Sequence, residues 1–447
     1  MPIYVGDLPI DDLLDETGDG YDIVYLGSDQ VWPPITFPYV VEGNFTGAEV
    51  PSGAVGVIPE LIGGGGPGDN GQTMPSQNNV VAAGGNGGGG GAAIGSVGLR
   101  FFIPVGDLGS TFTTLVGPGV ASRFISGGID LIAGAGTDSA GGTAIMTGIG
   151  YGFSSPGAGP GADNGTGGAG GGGKGRTAQT DSNKNVTYSA GTKGGDSMTK
   201  AGGPYTSPDP LPDAGQPSGG AGGRGASAFN ARGYGAGGPG GTGKIGTGSS
   251  GTEGGLGGPG YLRLTWTDKR HAFARFTAAG AWSWTLPSWL HNGDKVVLSA
   301  HGGGRGGTNG GSTSAGQGGQ AGQWADVALT VGVDIAPGAT LVGSIGAEGA
   351  SNGGNGGNTS CTTVGLTALG ATASNGTTAS NGDSLANHTA LDGDLYLGGL
   401  GGAYVATQAG LDGGPGSGGG AGGSLFFQGK AGGKGGGGRL FIHAWQA

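Results

Sequence analysis

The chain has 447 residues, 120 of them glycine, and only 11% are charged. So little side-chain volume permits only a thin or locally concentrated core, and glycine's entropy cost argues against a helix-rich α/β enzyme. The net charge of −11 comes with no clustering of positives, which argues against a nucleic-acid footprint; Lys269-Arg270 with Arg275 reads as a solvated patch.

In chain order, residues 1–40 stand apart, with Gly6, Gly18, Gly20 and Gly27 as their only glycines. Ile3-Tyr4-Val5-Gly6 followed by Ile10 recurs as Val24-Tyr25-Leu26-Gly27 followed by Val31. Each copy reads as a strand, a glycine-centred turn and a returning strand, and Trp32 closes the second. So small a unit buries little. It reads as a docking segment that adds strands to a partner, or else as hairpins packed on their own chain. Residues 41–80 read as a Pro/Gly spacer, with one extended strand available from Val55 to Ile62. Residues 81–267 form a first glycine-rich module, ending on the period-two strand Tyr261 to Thr267. Residues 268–447 form a second. Both end by running from glycines into a strand closed by tryptophan, Trp266 and Trp445. This predicts an internal duplication.

A single cysteine, Cys361, excludes an intrachain disulfide framework and reads as a small buried residue. The opening lacks a basic region followed by an apolar one, so no signal peptide is expected. No apolar run is long enough to predict a membrane span.

The glycine stretches admit three readings. Collagen fails, because a strict three-residue glycine period breaks at Asn358-Thr-Ser-Cys361. A flexible coil stays open for 155–257. For the second module the expected state is an array of extended, polyglycine-II-like helices whose backbones approach too closely for a Cβ. Phe273, Phe276, Trp282, Trp284, Trp324, Phe441 and Trp445 would be its apolar base. Asn355 and Asn358 would then face solvent. The fold class is mostly β, with glycine arrays, a small N-terminal β anchor and negligible α-helix.

No catalytic constellation is legible. The five histidines match no metal motif, and His443 reads as a surface or cross-strand residue. Asp392 and Asp394 lie two apart. The acidic run from Asp11 to Asp22 lacks EF-hand spacing. Gly170-Gly-Gly-Gly-Lys174 has no strand–loop–helix context for phosphate. No catalytic, cofactor or metal residue is assigned, and no enzyme activity is expected. What remains is surface: loops carrying Tyr188, Tyr205, Tyr234, His301 and Tyr404 are the expected recognition positions.

Two features then carry a resemblance. The N-terminal piece, Ile3-Tyr-Val-Gly-Asp and Val24-Tyr-Leu-Gly-Ser-Asp-Gln-Val-Trp-Pro33, resembles the opening of glycine-rich minor tail proteins of siphophages infecting Actinobacteria. Gly280-Ala-Trp-Ser-Trp-Thr-Leu-Pro, Val296-Val-Leu-Ser-Ala-His-Gly-Gly-Gly, Val333-Asp-Ile-Ala-Pro-Gly-Ala-Thr-Leu and Gly438-Arg-Leu-Phe-Ile resemble the glycine-rich domain of phage tail tips and fibres. The resemblance covers most of 1–40 and nearly all of 268–447. It implies a virion protein at the distal end of the tail that projects a glycine scaffold toward the host surface. Ile3, Tyr4, Val5, Val24, Tyr25, Leu26 and Trp32 would anchor it. The implied partners are other tail-tip proteins, further copies of the chain (a trimer favoured) and a host envelope glycan or lipid-linked polymer, without nucleic acid. The alternatives are a purely structural tail component and a bacterial glycine-rich surface protein.

Overall fold

The computed structural model describes residues 36–70, 88–157 and 254–447, except 97, 98, 139, 426 and 427. It adds 234, 235, 237, 238 and the backbone of a few short strands. Among these strands, Tyr4–Val5 pairs with Leu8–Pro9 and Val24–Leu26 with Asp29–Trp32, both antiparallel. These are the two hairpins read from the repeat. The side chains of Ile3, Tyr4, Val5, Val24, Tyr25, Leu26 and Trp32 lie outside the described residues.

The rest is mostly β, and among the described residues the single helical element is a turn of 3-10 helix at Val105–Asp107. The first module contributes β1 (Tyr39–Glu42), β2 (Phe45–Glu49), β3 (Gly56–Ile62), β4 (Ala93–Ile94), β5 (Ile103–Pro104), β6 (Thr111–Leu115), β7 (Ser122–Ser126), β8 (Ile129–Ala133), β9 (Ala144–Thr147), β10 (Ser154–Ser155) and β11 (Tyr261–Thr267). One sheet runs β10-β4-β3-β11-β1, with β5 also on β3, and the other runs β9-β8-β7-β6-β2. The second module contributes β12 (His271–Phe276), β13 (Gly280–Thr285), β14 (Lys295–His301), β15 (Trp324–Thr330), β16 (Thr340–Ile345), β17 (Thr359–Cys361), β18 (Leu366–Ala368) and β19 (Arg439–Trp445). Its sheets run β12-β19-β14-β15 and β13-β16-β17-β18.

The modules share one plan. In each, the last strand slots antiparallel between the first strand and the strand that enters the glycines, as β1-β11-β3 and β12-β19-β14. Alternation then fills the space between sheets. Ile129, Leu131 and Ala133 of β8 meet Leu262, Leu264 and Trp266 of β11. In the second module Trp282, Leu341 and Cys361 meet Leu298 and Ile442. Cys361 is fully buried, as its sequence context suggested.

Two expectations need correction. Residues 41–62 are not a spacer, because β3 is buried along its whole length and lies at the centre of its sheet. The prolines that suggested a linker are accommodated: Pro59 sits within β3, opposite Leu264. The tryptophan alignment of the two terminal strands is also off by one. Counted from the glycine junction, Leu262, Leu264 and Trp266 match Leu440, Ile442 and Ala444, which face the core. Trp445 therefore falls on the opposite face, since a one-residue slip inverts a strand.

The glycines extend from one end of each sandwich. In the segment that follows β14, the N–H groups point at three neighbours in rotation. Gly302, Arg305 and Thr308 donate to the carbonyls of Gln323, Gln320 and Gln317. Gly303 and Gly306 donate to those of Gly357 and Gly354. Gly304, Gly307 and Gly310 donate to those of Gly436, Gly433 and Lys430. The carbonyls of Gly303, Gly304 and Arg305 accept from Ala371, Gly349 and Gly419. The bonding direction thus repeats every third residue, and the segment is surrounded by other backbone. The first module does the same on a smaller scale: Gly63 and Gly66 donate to Ala92 and Gly89, and Gly65 and Gly68 to Gly258 and Gly255. A Cβ at Gly304, Gly307 or Gly418 would overlap the carbonyl oxygen of Ser417, Gly420 or Gly319. Asn355 and Asn358 are exposed while the intervening Gly356 is buried. Ordering costs roughly 1–2 kcal/mol per residue, whereas each bond returns about 1 kcal/mol net. Such a segment holds only when it is bonded on all sides and rooted in a sandwich.

Candidate functional site

Two places concentrate chemistry: the junction between the sandwiches and the far end of the second glycine array. The junction is built on the outer face of the sheet β12-β19-β14-β15. Because Leu440, Ile442 and Ala444 turn inward, Phe441, His443 and Trp445 turn outward. Beside them lie Phe273 and Arg275 of β12, His301 of β14 and Trp324 of β15. The expected aromatic base is therefore divided. Phe276, Trp282 and Trp284 pack in the core, whereas Phe273, Trp324, Phe441 and Trp445 line the outer face. Residues 385–397 cover part of that face: the Tyr396 ring lies 4.4 Å from Phe441, and Trp324 stacks on His388 at 5.0 Å. Trp324 Nε1 donates to the Ala386 carbonyl at 2.8 Å.

The first sandwich closes on the same face. Phe102 lies 5.8 Å from the His271 ring. Arg100 pairs with Asp394 and stands 3.7 Å from Glu60. Glu60 interrupts the apolar run of β3 and is 2% exposed. His443 Nδ1 donates to Asp392 Oδ2 at 2.8 Å, and His443 Nε2 lies 2.9 Å from His271 Nδ1. With His443 neutral and its proton on Nδ1, His271 is the donor of that second bond. Burial pushes Glu60 and Asp394 up, against the pull of Arg100. Burial also opposes ionisation of Asp392, but its hydrogen bonds from His443 and from the Asp394 N–H outweigh this and hold it below the usual value. Burial, aided by His443, lowers His271 to about 3.

His301 was expected on a recognition loop. It is instead fully buried, with Trp324 edge-on at 4.7 Å, because the glycine array closes over the end of β14. Burial lowers its pKa from 6.5 to about 3. The unfolded chain therefore takes up a proton below pH 6.5 that the folded chain refuses until about 3. Stability from this group is complete above pH 6.5 and falls toward pH 3, by up to about 1.4 kcal/mol per pH unit. His301→Gln is expected to flatten that slope relative to wild type when denaturant midpoints are compared from pH 7 to 4. Parallel curves would show that His301 does not titrate in this way.

Between the sandwiches lies an open cleft of about 430 Å³. Phe102 and Tyr151 line it from one side, and Arg270, His271 and Trp289 from the other. Tyr151 donates to Asp107 Oδ2 at 2.6 Å.

The remaining expected recognition residues do not converge. Tyr234 is half-buried against Tyr261, ring centres 4.8 Å apart. Tyr404 is half-buried, its N–H donating to Asn381 Oδ1 at 2.8 Å. The Tyr188 side chain and Tyr205 lie outside the described residues. What does converge is a set of loops at the array's far end: 311–315, 376–379, 405–409 and the hairpin from Ser424 to Gly429. Backbone bonds tie them together: Ala379 N–H to Gly316, Gly316 to Gly422, Gly423 to Gln408 and Ser424 to Ala406. Ser312, Thr313, Ser314, Thr377, Thr378, Thr407 and Gln408 are exposed there. These hydroxyls, with the amides of Gln408 and of exposed Gln428 in the hairpin, carry no charge. Sequence reading missed them because it looked for aromatic residues at loop tips, and short Ser/Thr runs recur throughout such a chain.

Residues 277–390 match the sequence profile of a glycine-rich domain family. The match begins just after β12 and runs through the first glycine segments of the second module. No curated protein matches the chain. Among the described residues no helix is long and apolar enough to cross a membrane.

Proposed function

We propose that this chain is a tail-tip or tail-fibre protein of a phage infecting Actinobacteria, holding a rigid glycine scaffold toward the host envelope. In this reading the segments after β14 and before β19 are polyglycine-II helices, with three residues per turn and no internal hydrogen bonds. The observation that supports it best is the rotation of donors among three neighbours, residue by residue, along 302–310. A framework bonded on every side gives four loops a fixed base. Their uncharged hydroxyl and amide groups suit sugar hydroxyls, so the ligand class is an envelope glycan. Residues 1–35 would join the tail, and further copies of the chain would complete the assembly at the distal tip of the virion. The reaction chemistry is nil: the role is adhesion.

Adsorption tests this. The assembled protein is expected to bind purified host envelope. Thr313→Ala, Thr377→Ala and Gln408→Ala together should weaken binding about tenfold or more, at roughly 0.5–1.5 kcal/mol per lost hydrogen bond, with an unchanged melting temperature. Unchanged binding by the triple variant would remove these loops from the site. Failure of the wild-type assembly to bind, together with its presence in virions, would leave a purely structural tail component.

A further inference from the structure

We propose that Asp392, Asp394 and His443 form a binding site for one divalent transition-metal ion of the Zn²⁺ class, in the junction between the two sandwiches. Their ligand atoms all lie within 4.8 Å of one another. His443 Nδ1 is 2.8 Å from Asp392 Oδ2 and 3.8 Å from Asp394 Oδ2. One imidazole nitrogen with two carboxylates is a donor set that suits zinc better than the all-oxygen sites of calcium or magnesium.

An independent observation points to a ligand. Asp394 Oδ2 is buried and has no hydrogen-bond partner, on a side chain only 10% exposed. Arg100 occupies the other oxygen, Oδ1. The free oxygen is thus the one beside His443 Nδ1, and an orphaned buried carboxylate oxygen is costly unless something binds it.

The surroundings supply the supports that metal sites use. The turn carrying the two aspartates is pinned by the Asp394 N–H donating to Asp392 Oδ1 at 3.0 Å and by the Ala390 N–H donating to the Asp394 carbonyl at 2.8 Å. His443 sits in β19, the central partner of β12 and β14. With an ion on Nδ1, His443 carries its proton on Nε2 and donates it to His271 Nδ1, 2.9 Å away. His271 then carries its proton on Nε2, 3.5 Å from Thr267 Oγ1. Both rings change tautomer, neither loses a proton, and the ligand's second nitrogen has a fixed acceptor, as bound histidines require. A cavity of about 20 Å³ lined by Asp394, Arg100 and Arg275 adjoins these residues and has room for one water. The ion would staple the 390–394 turn to the terminal strand and, through Arg100, to the first sandwich.

The test uses the full-length protein, stripped with a chelator and then dialysed against Zn²⁺, with Co²⁺ as the spectroscopic probe. The expected result is one ion per chain, a visible tetrahedral Co²⁺ spectrum and a higher melting temperature. His443→Gln and Asp394→Asn should lose at least tenfold in affinity. His271→Ala should keep the stoichiometry and bind roughly 10–100-fold more weakly. Glu348→Gln, at an exposed carboxylate 2.7 Å from Lys434, should bind as wild type. Folded wild-type protein that takes up no ion and gives no tetrahedral Co²⁺ spectrum overturns the proposal, whether or not the variants fold. So does undiminished binding by folded Asp394→Asn.

Discussion

Gly418→Ala is expected to destabilise the second module by about 3 kcal/mol, combining roughly 1–3 kcal/mol for overpacking with about 1 kcal/mol for each backbone bond displaced. The reason is local and steric. A Cβ at this position would overlap the carbonyl oxygen of Gly319. The residue is also held from two other directions, its N–H donating to Asp383 and its carbonyl accepting from Gly402, both at 2.9 Å. No flexible side chain is available to move aside, so the added methyl must push apart segments that are themselves bonded to further segments. Gly106→Ala is the control. Its Cβ would meet nothing within 4 Å, and the substitution should be neutral or stabilise by up to about 1 kcal/mol through the unfolded chain. Urea midpoints of the two variants read the difference. Amide exchange gives a second view: the N–H groups of Gly304, Gly307 and Gly419 should be protected to nearly the global unfolding free energy. Gly418→Ala with wild-type stability, or exchange at random-coil rates, would mean that the glycine segments are tethers.

Much of this architecture is legible in the sequence. Alternation in Tyr261–Thr267 and Arg439–Trp445 announced strands, and both occupy central positions. The break between small polar stretches and apolar runs announced that glycine segments would be rooted in sheets. The failures have physical causes. Glycine and proline in 41–62 resemble a linker, yet in β3 the proline occupies a tolerated sheet position and all seven residues are buried. His301 and Tyr234 looked exposed because glycines flank them, but packed glycines bury their neighbours. The junction was the least legible feature. Arg100 and Asp394 are 294 residues apart in sequence, and no spacing rule reaches that far. The single local clue was Glu60, a lone carboxylate inside Val57-Ile-Pro-Glu-Leu-Ile62. A charge in the middle of a buried strand demands a partner from elsewhere in the fold.

That demand sets the other large effect. Arg100→Ala should cost about 3 kcal/mol at neutral pH, the lower end of the range for breaking a buried pair, because the Arg100 side chain itself keeps 35% of its exposure. The loss comes less from the vanished attraction than from the carboxylate left behind, since Glu60 is 2% exposed and Arg100 lies 3.7 Å away. The pH dependence follows from the direction of the shift. Burial raises Glu60 above 4.5, and Arg100 is the largest influence opposing that rise. Without Arg100 the folded-state value climbs further, so the folded chain holds a proton over a wider range than the unfolded one. Such a group destabilises the fold when ionised, and the penalty is relieved as pH falls through its raised value toward 4.5. The deficit of Arg100→Ala against wild type should therefore be largest near pH 7 and shrink on acidification, while the double variant Arg100→Ala/Glu60→Gln should show a smaller deficit and a weaker pH dependence, the remainder coming from Asp394, which Arg100 also pulls down. Parallel stability curves for wild type and Arg100→Ala across that range would show that Glu60 does not depend on Arg100 for its charge. The junction would then be held by its aromatic contacts, with Phe102 against His271 at its centre.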